Sequence, residues 1–233
     1  MVAAALVAGA VAGGATTYLM NADGTDDPSA QVTSGSSSSS QPRLALQDAI
    51  ARVDGAVVQV QTPSGLGSGV VISPRGLIIT NNHVIEGASG DQILVITADN
   101  RRVPATIAAR NPSKDLAVLK PQGSVGDGIE LASEPDGALR PGDQVFAIGS
   151  PFGLQGTVTV GVVSAVNRRG DRGMRMIQTD APINPGNSGG GLFDLRGRLV
   201  GVPTSINSPV PGNVGIGFAV PANQVRIELE SVT

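Results

Sequence analysis

The chain has 233 residues, a formal charge of −3, no cysteine and one histidine, His83. These counts exclude disulfides, thiol catalysis, thiolate metal sites and a His-rich zinc centre, and with no basic face nucleic acid is not an expected partner. With 32 Gly, 16 Pro and only 2% aromatics, the core must be built from small and β-branched side chains interrupted by many turns.

Residues 2–20, VAAALVAGAVAGGATTYLM, carry no charge. At about 1.5 Å rise per residue such a helix reaches across a bilayer core. Residues 1–21 are therefore expected to form a transmembrane anchor or an uncleaved signal. No Lys or Arg precedes the apolar run, although such charges normally set orientation, so the natural chain could carry a basic flank ahead of it. A buried soluble helix is the rival reading, and the next segment opposes it. Residues 22–41 are Ser-rich and almost free of large apolar groups; they read as a flexible linker because they cannot offset their ordering entropy. PRLALQDAIARV (42–53) then sets Leu46, Ile50 and Val53 on one helical face behind Pro42.

From residue 56 the period shortens. AVVQVQT, GSGVVIS, GLIIT, DQILVIT, VPATIAA and DLAVLK are separated by Gly, Pro, Asn and Asp. After RPGD (140–143) come QVFAIG, GTVTVGVVSAV, MRMIQTD, GRLVGV and VGIGFAV. Short strands at this spacing predict an all-β barrel or sandwich rather than βαβ units. PANQVRIELESV closes the chain with Val225, Leu229 and Val232 at helical spacing behind Pro221. The two strand groups show no convincing sequence repeat.

Three places could carry chemistry. In INPGNSGGGL (183–192), Ser188 stands among glycines. A serine hydroxyl needs a base to become a nucleophile, and acyl transfer needs donors aimed at the developing oxyanion. Glycine reaches the backbone angles that point successive N–H groups into one hollow, so Gly186 and Ser188 could supply them. A plain Gly-rich turn with an exposed serine is the bland alternative. GNSGG also fits the G-x-S-x-G nucleophile elbow of α/β-hydrolases, but there the histidine follows the serine; here none does, and the surroundings are β-rich. His83, in GLIITNNHVIEG, falls at a strand end or in the following turn, where a general base could sit, although a lone histidine is more often a surface residue. A carboxylate must orient it, and Asp91, Asp99, Asp115 and Asp127 all lie between His83 and Ser188. Asp115, opening directly into an apolar strand, is modestly favoured.

TNNHVI, KDLAVL and TDAPINPGNSGGGL resemble the three triad blocks of the HtrA (DegP/DegS-like) serine proteases, in the order His, Asp, Ser. GSGVVIS, AIGSPFGLQGTVTVGVVSAVNR and GNVGIGFAVP look like the same family, and the likeness spans roughly residues 45–226. The resemblance implies a chymotrypsin-like double six-stranded β-barrel with short N- and C-terminal helices. The trypsin-like protease domain would cover 42–233, with barrels about 55–135 and 140–222 and the active site between them. It implies His83 as base, Asp115 as orienter, Ser188 as nucleophile, and Gly186, Asn187 and Ser188 around the oxyanion. It further implies a shallow apolar substrate pocket built from Pro182, Ile183, Thr204, Ile216 and Phe218, taking small aliphatic side chains, with no cofactor and no metal. Expected substrates are unfolded or damaged extracytoplasmic proteins, the expected assembly is a homotrimer, and the expected place is the bacterial cell envelope, membrane-anchored. Three departures stand out: Pro182 where the family often has Ala, Gly191 where it has Pro, and Pro203 where it commonly has a hydrogen-bonding Asn. The PDZ domain usual after the protease is absent from this chain. Pro203 and the missing PDZ leave open a catalytically silent binding or regulatory module with the protease fold.

Overall fold

The computed structural model describes residues 42–72, 75–88, 93–132, 139–150, 156–170, 173–206 and 214–232. The expected membrane span (1–21) and linker (22–41) lie outside the described residues. Among the described residues no helix is long and apolar enough to cross a membrane.

Helix α1, Pro42–Val53, forms where the sequence predicts it. Ala49 and Val53 are buried, and Leu46 and Ile50 pack partly buried against the same core. These positions fall at i, i+3, i+4 and i+7, so one stripe of the helix is apolar.

Twelve strands among the described residues close into two barrels. The first holds β1 Val57–Thr62, β2 Gly65–Ile72, β3 Leu77–Thr80, β4 Ile93–Ile96, β5 Arg102–Asn111 and β6 Leu116–Pro121. The second holds β7 Gln144–Gly149, β8 Thr157–Arg169, β9 Arg175–Thr179, β10 Gly191–Asp194, β11 Leu199–Ile206 and β12 Gly217–Pro221. Around the first barrel the order is β1-β2-β3-β6-β5-β4; read from β7, the second runs β7-β8-β9-β12-β11-β10. The two orders are the same, so the repeat that the sequence hides is present in the topology. Every pairing within the barrels is antiparallel, and closure removes the exposed edges an open sheet would have.

Small and β-branched side chains are fully buried in both barrels: Val58, Val60, Val70, Ile79 and Val118, from both faces of the first sheet, and Val145, Ala147, Val163 and Leu192 in the second. Two of the four Phe, Phe146 and Phe193, face each other across β7 and β10 and stack at 5.4 Å. The chain between the barrels fastens both: Ile129 bridges to Ile72 of β2, and Leu131 to Leu199 of β11. Helix α2, Ala222–Glu230, packs against β6 of the first barrel and β11 and β12 of the second. There Asn111 Nδ2 donates to the buried Glu228 carboxylate at 2.8 Å.

Strand β10 was absent from the expected strands, because Gly191 prolongs a glycine run that reads as loop. Strand β11 also runs past its expected end, through Pro203 to Ile206. Proline is tolerated there because Pro203 lies beyond the stretch paired with β10, and its carbonyl accepts from Gly189 N–H at 3.1 Å.

Candidate active site

The register of two neighbouring strands begins the site. β3 pairs antiparallel with β6, Thr80 opposite Ala117, so the residues just after β3 lie beside those just before β6. The chain leaves β3 at the fully buried Asn81, whose Nδ2 donates to Asp115 O at 2.8 Å. It then makes one 3-10 turn, His83–Ile85. Asp115 closes the turn before β6 with φ +52°, a left-handed conformation that Asp tolerates better than most residues.

Asp115 and His83 thereby meet twice. Asp115 Oδ1 accepts the His83 backbone N–H at 3.0 Å, and Oδ2 stands 2.8 Å from His83 Nδ1. Thr204, arriving on β11 of the other barrel, donates its hydroxyl to the same Oδ2. Burial pushes the Asp115 carboxyl up, but the hydrogen bonds from the His83 ring and Thr204, the His83 charge and the His83 N–H together hold it below the ordinary carboxylate value. A carboxylate so held keeps the proton on Nδ1 and leaves Nε2 as the acceptor of the neutral ring. The ring itself is 41% exposed, against 12% for the Asp115 side chain.

The other carboxylates weighed from the sequence stand elsewhere. Asp99 belongs to its own surface turn, where hydrogen bonds from Arg101 and Thr97 bring it down to about 2. Asp127 lines a separate surface hollow with Arg75 and Lys120. Asp91 lies outside the described residues. Among the described residues no group of three His, Cys, Asp or Glu could hold a metal ion.

Ser188 reaches the site on the loop ahead of β10. Its carbonyl accepts Ser68 N–H of β2 at 2.9 Å, tying the loop to the first barrel. Gly186 has φ +101° and Gly189 φ +82°, both in the region that favours glycine. A Cβ on Gly189 would come within 2.2 Å of Ser68 O, so no side chain fits there. Asn187 N–H is engaged by Asn184 O at 3.0 Å. The N–H groups of Gly186 and Ser188 donate to no acceptor among the described residues.

A cleft of about 560 Å³ separates the barrels. One wall includes Leu66, His83, Val84 and Glu86, the other Ile183, Gly186, Ser188 and Thr204. His83 and Ser188 thus share a cavity, though no hydrogen bond joins their side chains in this state. Of the five expected pocket residues, Ile183 and Thr204 line this cleft. Pro182 is exposed and its carbonyl accepts from Asn187 Nδ2. Phe218 is buried in the core, with Ile216 half-buried against it. The attachment of Thr204 to Asp115 had no signal in the sequence, because it depends on how the barrels dock.

The trypsin-like peptidase domain model matches residues 67–202. The chain belongs to the trypsin-like peptidase family. Periplasmic serine endoprotease DegP of Salmonella typhimurium is 46% identical over 173 residues, covering 72% of this chain and 36% of that protein. Serine protease PepD of Mycobacterium tuberculosis is 39% identical over 213 residues, covering 79% of this chain and 46% of that one. The solved structure of the HtrA-type protease AlgW with tripeptide superposes with a TM-score of 0.74 at 41% identity, covering 80% of this chain and 63% of that chain. The expected chymotrypsin-like double barrel of HtrA type is therefore present. The chain spans only about a third to a half of the length of those curated relatives.

Proposed function

We propose that this chain hydrolyses peptide bonds through Ser188 as nucleophile, His83 as general base and Asp115 as the orienting carboxylate. The observation that carries this is the 2.8 Å contact of His83 Nδ1 with Asp115 Oδ2, beside a cleft that Ser188 shares. With Nδ1 protonated, Nε2 accepts the Ser188 proton as Oγ attacks the scissile carbonyl. The imidazolium that forms is stabilised by Asp115 and then protonates the leaving amine. The unengaged N–H groups of Gly186 and Ser188 are the donors for the oxyanion, a role from which the bonded Asn187 N–H is withheld.

The substrates we infer are unfolded or damaged extracytoplasmic proteins, cut after small aliphatic residues. An apolar Ile183 on the wall beside Ser188 supports that preference, and the acid in the cleft, Glu86, stands on the opposite wall. Two relatives from Salmonella and Escherichia coli are named periplasmic, which supports a cell-envelope location. Residues 1–21 would tether the protease to the membrane through the 22–41 linker, and the assembly would be a homotrimer. Sedimentation of the pure chain, and membrane fractionation with and without residues 1–41, test those two points.

Cleavage of an unfolded protein such as casein, together with labelling by a fluorophosphonate, tests the reaction. The wild-type chain should cleave and label, Ser188→Ala should do neither while keeping its fold, and His83→Ala should lose the labelling. Residual cleavage by pure Ser188→Ala would remove Ser188 from the mechanism. The missing Ser188–His83 hydrogen bond favours one other reading, a silent binding module. That reading predicts no labelling of the wild type, whereas an enzyme whose bond tightens only around substrate still labels.

A further inference from the structure

The hydroxyl of Ser68, in the middle of β2, lies outside every step above. Ser68 is fully buried, and each of its hydrogen-bonding groups is in use. Its N–H donates to Ser188 O at 2.9 Å, and its carbonyl accepts the Thr80 hydroxyl at 2.6 Å. Its Oγ donates to Gly186 O at 2.6 Å and accepts Ser150 N–H at 2.8 Å. One side chain of the first barrel thus holds two loops of the second.

We propose that Ser68 is a positioning residue that holds the oxyanion loop in its working shape. The proposal rests on the reading that Gly186 and Ser188 N–H groups receive the oxyanion. Those two amides flank the peptide between Gly186 and Asn187. That peptide is pinned at both ends, its oxygen by Ser68 Oγ and its N–H by Asn184 O. Without the Ser68 bond the half-buried Gly186 carbonyl loses that partner, and a glycine at φ +101° has little of its own to resist rotation. Serine suits the position because a hydroxyl donates and accepts at once in very little space. The space is small: a Cβ on Gly149 would already lie 3.1 Å from Ser68 Oγ. The bond is directional in its consequences. It touches neither His83 nor Asp115, so it acts on the oxyanion and not on the base.

The test uses the full chain and a chromogenic peptide. Ser68→Ala should lower kcat about 10- to 100-fold, less than the loss of a donor itself, while KM stays within about threefold. Affinity for a peptide boronic acid, whose tetrahedral adduct needs the same amides, should fall by the same factor as kcat. Affinity for the non-covalent product peptide should not change, and neither should the pH midpoint of kcat/KM. Ser68→Cys keeps a donor, though a weaker and larger one, and should fall between. It carries the test alone if Ser68→Ala does not fold. A kcat for either variant within twofold of wild type would overturn the proposal, as would a boronate loss matched by an equal loss of product-peptide binding, or a moved pH midpoint. Failure of the underlying reading looks different: the wild-type chain itself would neither cleave nor bind the boronate, and both proposals would fall together.

Discussion

At the residue scale the decisive arrangement is the Asp115 carboxylate, which faces the His83 ring, the His83 N–H and the Thr204 hydroxyl. Asp115→Asn keeps the shape but favours the wrong tautomer of His83, so kcat should fall by about 10⁴-fold in a peptide assay at neutral pH. The same carboxylate gives stability a pH dependence with a definite sign. Its folded value lies below the ordinary 3.8, so between the two the unfolded chain binds more protons. Its stabilisation is therefore complete above about pH 4 to 5 and is lost as pH falls through the folded value. Urea midpoints measured downward from pH 5 should drop more steeply for wild type than for Asp115→Asn. Gly189→Ala is expected to cost more than about 3 kcal/mol, because the new Cβ would meet backbone and φ +82° strains any side chain. A midpoint shift of less than half that size would mean that the Ser188 loop yields. That His83 and Ser188 share one cleft was legible from the motif order and from the histidine's being single. Thr204 and Ser68 were not, since a Thr or Ser inside a strand looks the same whatever it faces.

Among the elements, β10 shows where local pattern runs out. Its four residues begin with the last of a glycine run, and only pairing with β7 and β11 makes it a strand. Phe193 secures that pairing by stacking on Phe146, so Phe193→Ala should cost about 3–5 kcal/mol in urea denaturation and loosen the loop that carries Ser188. A loss below about 1 kcal/mol would show that the neighbouring strands close the gap. Helix α1 was plain in the sequence, because its apolar spacing is regular, whereas α2 ends at Glu230, short of the expected Val232. What α2 does was not plain: its buried Glu228 takes a hydrogen bond from Asn111 at the end of β5.

For the whole molecule, the two barrels repeat one strand order without a shared sequence pattern, because strand length and apolar alternation specify topology more loosely than residue identity. They are also packed together. One continuous core joins Val58, Ile79 and Leu119 of the first barrel to Phe146, Phe193 and Val220 of the second. Thermal unfolding should accordingly be one transition with calorimetric and van't Hoff enthalpies in agreement, and two resolved transitions would show that the barrels fold independently. The sequence by itself determined which chemistry was available, a lone imidazole upstream of a serine among glycines, and that short strands would build the body. Local periodicity and composition carry that information. Only the tertiary structure decided which carboxylate meets His83, which hydroxyl steadies that carboxylate and which amides stay unengaged beside Ser188. The contacts responsible join residues 32, 89 and 118 positions apart, and no local pattern encodes the docking of two closed barrels that brings them together.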